Sequence, residues 1–340
     1  MPFTVELEPS GTTFSVEPDE SVLDAALREQ VLLPYGCRNG ACGSCKGRVL
    51  SGEVSAMVPP KGLSEREIDA GWVLLCQTRP ASDLSIAAQT LDGSKDLSVR
   101  TLPVRVARKE QLSHDVMALH LQLPPTERLQ FLAGQYIDIL LKDGRRRAFS
   151  LSNAPHDDAT LTLHIRHVPD GEFSGHVFGA LKERALLRIQ GPLGNFFLRT
   201  DTRCSRVLVA GGTGFAPIKS MVENALHEGL EDPLHVYWGV RAGEDLYTDV
   251  GTTWAAQHSN VSFVPVLSEP IPEDQWKGRT GFVHEAVLED FGDLSNVEVY
   301  ASGPPIMVNA IRDTFSERGL AIERLFSDTF DYAYETGHDS

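Results

Sequence analysis

The chain has 340 residues, of which 41% are hydrophobic and 23% charged, and its formal net charge at pH 7 is −16. This length favours two or three domains, and the composition is typical of a globular protein. The net negative charge, together with the absence of a basic stripe in the sequence, argues against binding to nucleic acid or to an anionic membrane surface. No run of roughly 18 apolar residues occurs, and the opening MPFTVELEPS alternates like a strand, so we expect a cytoplasmic protein without a membrane span.

Four of the five cysteines form a pattern that indicates an iron–sulfur site. Cys37, Cys42 and Cys45 are spaced C-x4-C-x2-C in the segment CRNGACGSC, and Cys76 follows in WVLLCQT. This is the ligand spacing of a plant-type 2Fe–2S cluster. Glycines interleave the three near cysteines, so the loop can fold tightly and direct its N–H groups at the sulfurs. We therefore expect all four thiolates to bind the cluster.

Zinc, disulfides and unrelated core cysteines each fit this pattern less well. A structural zinc site usually has two C-x2–4-C pairs, and only one close pair is present. Disulfides would require a secreted chain, and no signal peptide is expected here. Unrelated core cysteines do not cluster within one short glycine-rich loop.

The first part of the chain predicts a small β-grasp ferredoxin domain over residues 1–91. Alternating strands come first, then a helix capped by Asp19–Ser21, the cysteine loop, and a short helix that begins at Ser64 with Glu67 in capping-box spacing. The segment 92–101 has low hydrophobicity, and we interpret it as a linker.

The rest of the chain contains two successive patterns of secondary structure, first mainly strands and then strands that alternate with helices. Residues 102–200 contain six short alternating strands separated by turn residues, with a helical piece predicted over Gly175–Lys182, which indicates an antiparallel β-barrel. In residues 201–340 strands alternate with helices, two of which we predict over Pro217–Leu226 and Ile306–Phe315. That alternation indicates an α/β domain with a parallel sheet.

Several polar segments of the barrel indicate a bound diphosphate. The tetrapeptide that begins at Arg147 is weak evidence alone, because an arginine at a strand end is often only solvated. It is followed by LHIRHV and then by DGEFS at the start of a helical piece, where glycine and serine offer donors to an anion. The residues predicted to line the binding site of the molecule that carries this diphosphate are Arg147, Phe149, Ser150, His164, Arg166, Gly171 and Ser174.

Two glycine-containing turns end strands of the α/β domain. Gly211, Gly212, Thr213 and Gly214 lie between a strand and a helix, which is where α/β sheets bind ligands, although such a turn can also be purely geometric. A second turn, Ser302–Pro304, ends another strand, and we expect it in the same crevice. Together the two turns predict a site for a nucleotide pyrophosphate.

With these motifs in place, the barrel and the α/β domain resemble ferredoxin–NADP reductase, and the whole layout resembles reductases with an amino-terminal plant-type ferredoxin. Across nearly the full length the chain is similar to CDP-6-deoxy-3,4-glucoseen reductases, in blocks such as LAGQYIDIL, GGTGFAPIKSMVE and TGFVHEAVLED. The resemblance implies FAD, NADH and a 2Fe–2S cluster as cofactors. It also implies an electron-accepting partner, either a pyridoxamine-phosphate-dependent sugar dehydrase or an oxygenase component, and we expect a monomer.

The resemblance implies roles for residues of the FAD site. The family pattern R-x-Y-S falls on Arg147, Phe149 and Ser150, which places Arg147 on the FAD diphosphate and Ser150 near the reactive flavin nitrogen. Phe149 replaces the usual tyrosine, so packing on the flavin is kept while a hydroxyl contact is lost. The second phosphate element falls on Gly171 and Ser174.

The resemblance also implies the residues at the nicotinamide nucleotide. These are the 211–214 turn, Arg241, Gly303 and Pro304, with Ser302 where many relatives have a cysteine beside the nicotinamide. Phe330 matches the aromatic residue that covers the flavin in relatives. The residues expected at the reacting atoms are thus Ser150, Ser302 and Phe330.

These features predict an electron-transfer enzyme in which NADH gives a hydride to FAD and single electrons leave through the cluster. NADH is preferred over NADPH because Glu244 and Asp245 follow Arg241 and would repel a 2′-phosphate. Three alternatives stay open at this point: the reductase component of a Rieske or di-iron oxygenase, a free-flavin reductase or diaphorase, and a redox sensor without enzymatic activity.

Overall fold

The fold is described from a computed structural model of the chain. The structure describes residues 2–29, 31, 33–35, 38–41, 43–90, 97–200 and 202–330. Contacts divide the chain into two units. The first unit is Met1–Ser98 together with Gly194–Phe196 and Ser327–Thr329, and the second unit contains the remaining residues.

A small mixed sheet forms the centre of the amino-terminal unit. The strands of this unit are β1 (Phe3–Glu8), β2 (Thr12–Val16), β3 (Lys46–Ser51), β4 (Val54–Ala56), β5 (Trp72–Leu74), β6 (Thr78–Pro80) and β7 (Leu84–Ala87). Five of them pair in the order β2-β1-β7-β3-β5, and β4 pairs with β6. Val5, Leu7 and Val16 are fully buried, as their alternation with polar residues predicts for a sheet with one covered face.

Two capped helices accompany this sheet, α1 (Val22–Arg28) and α2 (Glu65–Asp69). The Ser21 side chain accepts a hydrogen bond from the Asp24 N–H at the start of α1. At α2 the side chains of Ser64 and Glu67 form a reciprocal capping box. Both helix starts are therefore confirmed, because these caps satisfy N–H groups that have no partner within the helix.

Six antiparallel strands form a barrel at the start of the second unit. They are β8 (Arg100–Gln111), β9 (Val116–Gln122), β10 (Tyr136–Leu140), β11 (Arg146–Ser150), β12 (Leu161–Arg166) and β13 (Leu186–Leu193), in the order β11-β10-β13-β8-β9-β12. An antiparallel bridge between Leu151 and Leu163 joins the two ends of this sheet. β8 already includes Arg100 and Thr101, the last residues of the predicted linker. Residues 91–96 lie outside the described residues, and the predicted domain boundaries stay predictions.

The barrel carries one helix, α3 (Glu172–Phe178), which begins three residues earlier than predicted. Gly171 is its N-cap, and Phe173 and Val177 are buried on one face of the helix. The helix ends at Gly179, so the predicted extension to Lys182 is wrong. A glycine is a common helix terminator because it lowers helix propensity and tolerates other backbone conformations.

The remaining strands form a parallel sheet flanked by helices. They are β14 (Ser205–Gly211), β15 (Leu234–Val240), β16 (Val261–Leu267), β17 (Arg279–Thr280), β18 (Val297–Gly303) and β19 (Leu325–Thr329). The helices are α4 (Phe215–His227), α5 (Val250–Gln257), α6 (Val283–Asp290) and α7 (Pro305–Ser316). The strand order is β17-β16-β15-β14-β18-β19, so the chain reverses its direction of sheet growth between β14 and β18. Ligands bind at such a switch point in open α/β sheets.

A fully buried arginine anchors the connection between barrel and sheet. Arg206 Nη1 lies 3.0 Å from Asp232 Oδ2, and Arg206 Nη2 donates to the carbonyl oxygens of Arg199 at 2.8 Å and Thr202 at 2.7 Å. Its Nε also lies 3.5 Å from a carboxylate oxygen of Glu298. The guanidinium thus ties the connecting segment to β18 and to the loop before β15, because its donors converge on groups from each.

We expect Arg206→Met to lower the free energy of unfolding by about 3 kcal/mol, because removing one member of a buried ion pair leaves its carboxylates unpaired. Chemical denaturation measures this change. Arg318→Met, at an exposed position, is the control and should behave like the unchanged protein. Equal stability of the two variants would contradict a structural role for Arg206.

Candidate functional site

The amino-terminal unit brings two of the predicted cluster ligands together. Cys45 and Cys76 are buried, with 2% and 5% of their surface exposed, and the Leu75 N–H donates to the Cys45 carbonyl at 2.9 Å. Cys37 and Cys42 lie outside the described residues, so the four-ligand set stays a prediction. Two buried thiols on neighbouring segments fit the chemistry of a thiolate-held cluster.

The loop around these cysteines is closely packed by neighbouring backbone. The Gly62 N–H donates to the Gly40 carbonyl at 2.9 Å, and Gln77 Nε2 donates to the Arg38 carbonyl at 2.8 Å. A Cβ on Gly62 would lie only 2.7 Å from the nitrogen of Gly43. Gly40 and Gly43 themselves have φ angles of +83° and +73°, which favour glycine. The loop is therefore shaped by contacts that leave no room for side chains.

The barrel brings β11 next to the start of α3, as the predicted diphosphate site requires. Phe149 packs against Phe173 with ring centroids 5.5 Å apart. Arg147 lies two residues before Phe149 and so on the same face of the strand. Ser174 Oγ accepts from the Val168 N–H at 3.1 Å and lies 3.2 Å from the Gly171 carbonyl, so its hydroxyl also holds the loop before α3.

The two predicted residues on β12 face loops of the parallel sheet. His164 Nδ1 lies 3.2 Å from the Tyr247 hydroxyl, and the two rings meet edge to face. Arg166 Nε lies 3.1 Å from Asp115 Oδ2, and its Nη1 would be 3.0 Å from a Cβ on Gly212. Arg166 therefore lies at the first glycine turn, while the contact described for His164 is to protein.

The two glycine-containing turns pack directly against each other at the switch point. A Cβ on Gly214 would lie 2.1 Å from the Ser302 carbonyl oxygen, and one on Gly303 would lie 3.0 Å from Gly211 Cα. Pro304 also limits the space at Gly211, where a Cβ would approach its Cδ to 2.9 Å. The two turns thus meet as the topology predicts, and the crevice between them stays a prediction. The contact between the turns is made largely by backbone, which suits close approach to a pyrophosphate.

Ser302 and Phe330 meet at the second turn. Ser302 is fully buried, and its Oγ has no hydrogen-bond partner among the described residues. Buried hydroxyls are normally paired, so the Ser302 hydroxyl is an exception among the described residues. The Phe330 N–H donates to the Gly303 carbonyl at 3.1 Å, which fixes the predicted flavin-covering residue beside this turn.

The structure changes part of the argument for NADH. Asp245 is buried, its Oδ2 accepts from the Ala242 N–H at 3.1 Å, and its Oδ1 lies 3.8 Å from Arg166 Nη2. This carboxylate therefore belongs to the fold of its loop and does not act as a free repelling charge. Glu244 alone remains to disfavour a 2′-phosphate near Arg241.

Two contacts of the crevice were missed by sequence reasoning. Trp238 Nε1 donates to the Gly212 carbonyl at 2.9 Å and its ring stacks on Phe215 at 4.1 Å, so aromatic packing supports the glycine turn. Arg166 lies between Asp115 and Asp245, which come from the barrel and from the loop after β15. No local signal in the sequence links such distant positions.

Comparison with known proteins agrees with this division of sites. Residues 5–81 match a 2Fe-2S iron-sulfur cluster binding domain, residues 103–198 an oxidoreductase FAD-binding domain and residues 208–313 an oxidoreductase NAD-binding domain. A CDP-6-deoxy-L-threo-D-glycero-4-hexulose-3-dehydrase reductase from Yersinia pestis is 42% identical over 330 residues, which are 97% of this chain and 99% of the relative. The chain belongs to the NAD-dependent iron–sulfur flavoprotein reductases.

More distant members of this reductase family serve oxygenases. Reductase component 1 of a terephthalate 1,2-dioxygenase from Comamonas sp. is 33% identical over 331 residues, 96% of each chain. The solved structure of the cytochrome P450 reductase GcoB from Amycolatopsis has a TM-score of 0.79 and 34% identity, and the match covers 96% of this chain and 98% of that one.

The reductase described here carries electrons from NADH through FAD and a 2Fe–2S cluster to a partner protein. None of its described helices is long and apolar enough to cross a bilayer.

We expect Gly62→Ala to lower the iron and acid-labile sulfide bound per chain severalfold. The added methyl group would meet the backbone of Gly43 and of Gly40, so the ligand loop would have to shift. Gly292→Ala, where a Cβ meets nothing within 4 Å, is the matched control. Full iron content in Gly62→Ala would show that the loop tolerates the change.

Acid should destabilise the folded reductase partly through His164. Burial, followed by the charges of Lys219 and His120, lowers the pKa of His164 from 6.5 to about 3. Above about pH 6.5 the group is neutral in both the folded and the unfolded chain, so its stabilising effect is complete there. As the pH falls below that value, only the unfolded chain takes up the proton, and stability is lost by at most about 1.4 kcal/mol per pH unit.

His164→Gln should therefore flatten the decline of melting temperature between about pH 6.5 and pH 4. Above about pH 7 the difference in melting temperature between the two proteins should not change with pH, since His164 is then neutral in both the folded and the unfolded state. Calorimetry across this range measures the slope. An identical slope in both proteins would mean that other groups govern acid sensitivity.

Proposed function

We propose that this reductase supplies electrons to a pyridoxamine-phosphate-dependent dehydrase of a nucleotide-activated 6-deoxy-hexulose. The observation that carries the proposal is the 42% identity, over nearly the full length of both chains, to a reductase named for such a dehydrase. Reductase components of oxygenases are less similar, at 33% for the terephthalate system. Shared domains alone do not separate these partners, so the partner is argued from this difference in identity.

The residues described above support a division of labour within the second unit. Arg147, with Gly171 and Ser174, would bind the FAD diphosphate, because an arginine fork and a helix start both suit anionic oxygens. Phe149 would pack on the flavin, and Ser150, only 7% exposed, would offer its hydroxyl near the reactive nitrogen. His164 and Arg166 would act from β12, His164 by holding Tyr247.

The nucleotide would be positioned by the two turns at the switch point. Backbone N–H groups of residues 211–214 would face its pyrophosphate, and Gly303 and Pro304 would shape the opposite wall. Ser302 Oγ would donate or accept beside the nicotinamide, and Phe330 would cover the flavin until the nicotinamide replaces it. Arg241, at the end of β15, would contact the adenosine part.

When bound, the flavin converts a two-electron donor into a source of single electrons for the iron–sulfur cluster. No side chain is required as a nucleophile. The chain contributes position and exclusion of water, through Ser302, Phe330 and the backbone walls of the crevice. In the first unit Cys37, Cys42, Cys45 and Cys76 would hold the cluster. We further propose a monomeric, cytoplasmic protein that prefers NADH to NADPH.

Reconstitution tests the partner. Under anaerobic conditions, the reductase with NADH should support turnover of a CDP-6-deoxy-hexulose dehydrase, with one NADH consumed per deoxygenated sugar. Cys76→Ser should abolish this delivery because it removes a proposed cluster ligand, whereas Cys204→Ser, outside the cluster motif, should retain it. Turnover with a Rieske oxygenase component and none with the dehydrase would instead favour the oxygenase function.

A further inference from the structure

Two large apolar side chains are exposed beside the cluster loop. Met57 and Val58 expose 43% and 44% of their surface. The Met57 N–H donates to the carbonyl of Gln77 at 2.8 Å, and Gln77 follows the predicted ligand Cys76 directly. Val58 Cγ2 lies 4.0 Å from where a Cβ on Gly40 would be. This surface therefore adjoins the loop on both its cysteine-bearing segments.

The adjoining residues extend this patch without covering it. Pro59 and Lys61 are exposed, and the backbone of Gly62 then returns to the loop through its hydrogen bond to Gly40. We name Met57, Val58, Pro59 and Lys61 the cluster-edge surface. Single exposed apolar residues are common, whereas contiguous exposed apolar patches mark interaction sites.

The segments that form and directly contact the cluster-edge surface lack acidic residues, unlike the chain as a whole. The segments 38–45, 55–62 and 77–81 contain three basic residues and no aspartate or glutamate, in a chain of net charge −16. The basic residues are Arg38, Lys61 and Arg79. Arg38 forms an ion pair with Asp24, and Arg79 is only partly exposed, so Lys61 presents the most accessible of these charges.

We propose that the electron-accepting protein docks on the cluster-edge surface and presents an apolar centre with an acidic rim. This inference rests on the proposed function, since it requires a protein acceptor. Apolar contact supplies affinity, while complementary charge steers the encounter and selects the partner. Transient redox complexes bury little area, roughly less than 1,200 Å² in total, so a small apolar surface suits the centre of such a contact. Its position next to Gln77 keeps the electron's path to the acceptor short.

The same unit provides a matched control surface. Leu50 exposes 51% of its surface, slightly more than Met57 or Val58. It lies in β3, five residues after Cys45 along an extended strand. At about 3.4 Å per residue this separation is roughly 17 Å, so a partner that touches Leu50 is not thereby brought to the cluster edge.

Binding with both proteins oxidised tests the proposal without turnover. The probe is cytochrome b5, an acidic one-electron haem protein, titrated calorimetrically into the full-length holoprotein. We expect Val58→Glu and Lys61→Glu to weaken binding at least about fivefold, as expected when a like charge enters a docking surface. Leu50→Glu and the charge-conserving Lys61→Arg should stay within about twofold of the unchanged protein. Equal effects of Val58→Glu and Leu50→Glu would overturn the proposal.

Steady-state kinetics separate this surface from the proposed function. Rates of NADH-dependent cytochrome b5 reduction are normalised to ferricyanide turnover of the same preparation. Lys61→Glu should raise the KM for cytochrome b5 more than it lowers kcat, and it should not raise the KM for basic cytochrome c. A parallel rise with both cytochromes would contradict charge selection. If the unchanged protein reduced neither cytochrome, the proposed function itself would fail, which is a different result from equal behaviour of the variants.

Discussion

The ends of β14 and β18 approach so closely that the space between them admits backbone alone. Any Cβ on Gly214 would overlap the Ser302 carbonyl oxygen, and one on Gly303 would press on Gly211. This contact brings the peptide groups of both turns together at the place where the crevice is predicted. It also fixes the end of the described chain, because the Phe330 N–H is held by the Gly303 carbonyl. The predicted nicotinamide site and the predicted flavin cover therefore depend on one packing constraint.

A few polar contacts hold the barrel against this crevice. Lys219 Nζ donates to the Ser152 carbonyl at 3.3 Å, and Ser220 Oγ donates to the Asn153 carbonyl at 2.7 Å. Ser220 is fully buried, so an unpaired hydroxyl there would cost roughly 1–3 kcal/mol. Because these contacts join α4 to the segment after β11, they relate the predicted flavin residues to the predicted nucleotide turns. Reactions between two bound molecules are sensitive to misplacement of about 1 Å.

Local patterns in the sequence predict much of this arrangement. Alternating residues mark the strands, capping residues mark α1 and α2, and the rule for parallel sheets brings the two glycine-containing turns together. What these patterns do not predict is pairing between distant positions. Arg166 resembles a phosphate ligand in sequence, yet Asp115 and Asp245 lie beside it in the fold. Asp245 resembles a repelling charge, yet it caps its own loop. The early start of α3 follows from burial of Phe173, which depends on tertiary packing.

The acidic character of the chain and the basic segments around the cluster loop act over different distances. At physiological ionic strength, screening limits charge interactions in solution to about 8 Å. Carboxylates elsewhere on the chain therefore add little at a contact made by Lys61, although a net negative charge disfavours unspecific association. A single basic side chain at the contact can then favour the approach of an acidic partner there, although the chain as a whole is negatively charged. Apolar side chains at the same place make that approach stable once water is removed, so selection and affinity come from neighbouring but different residues.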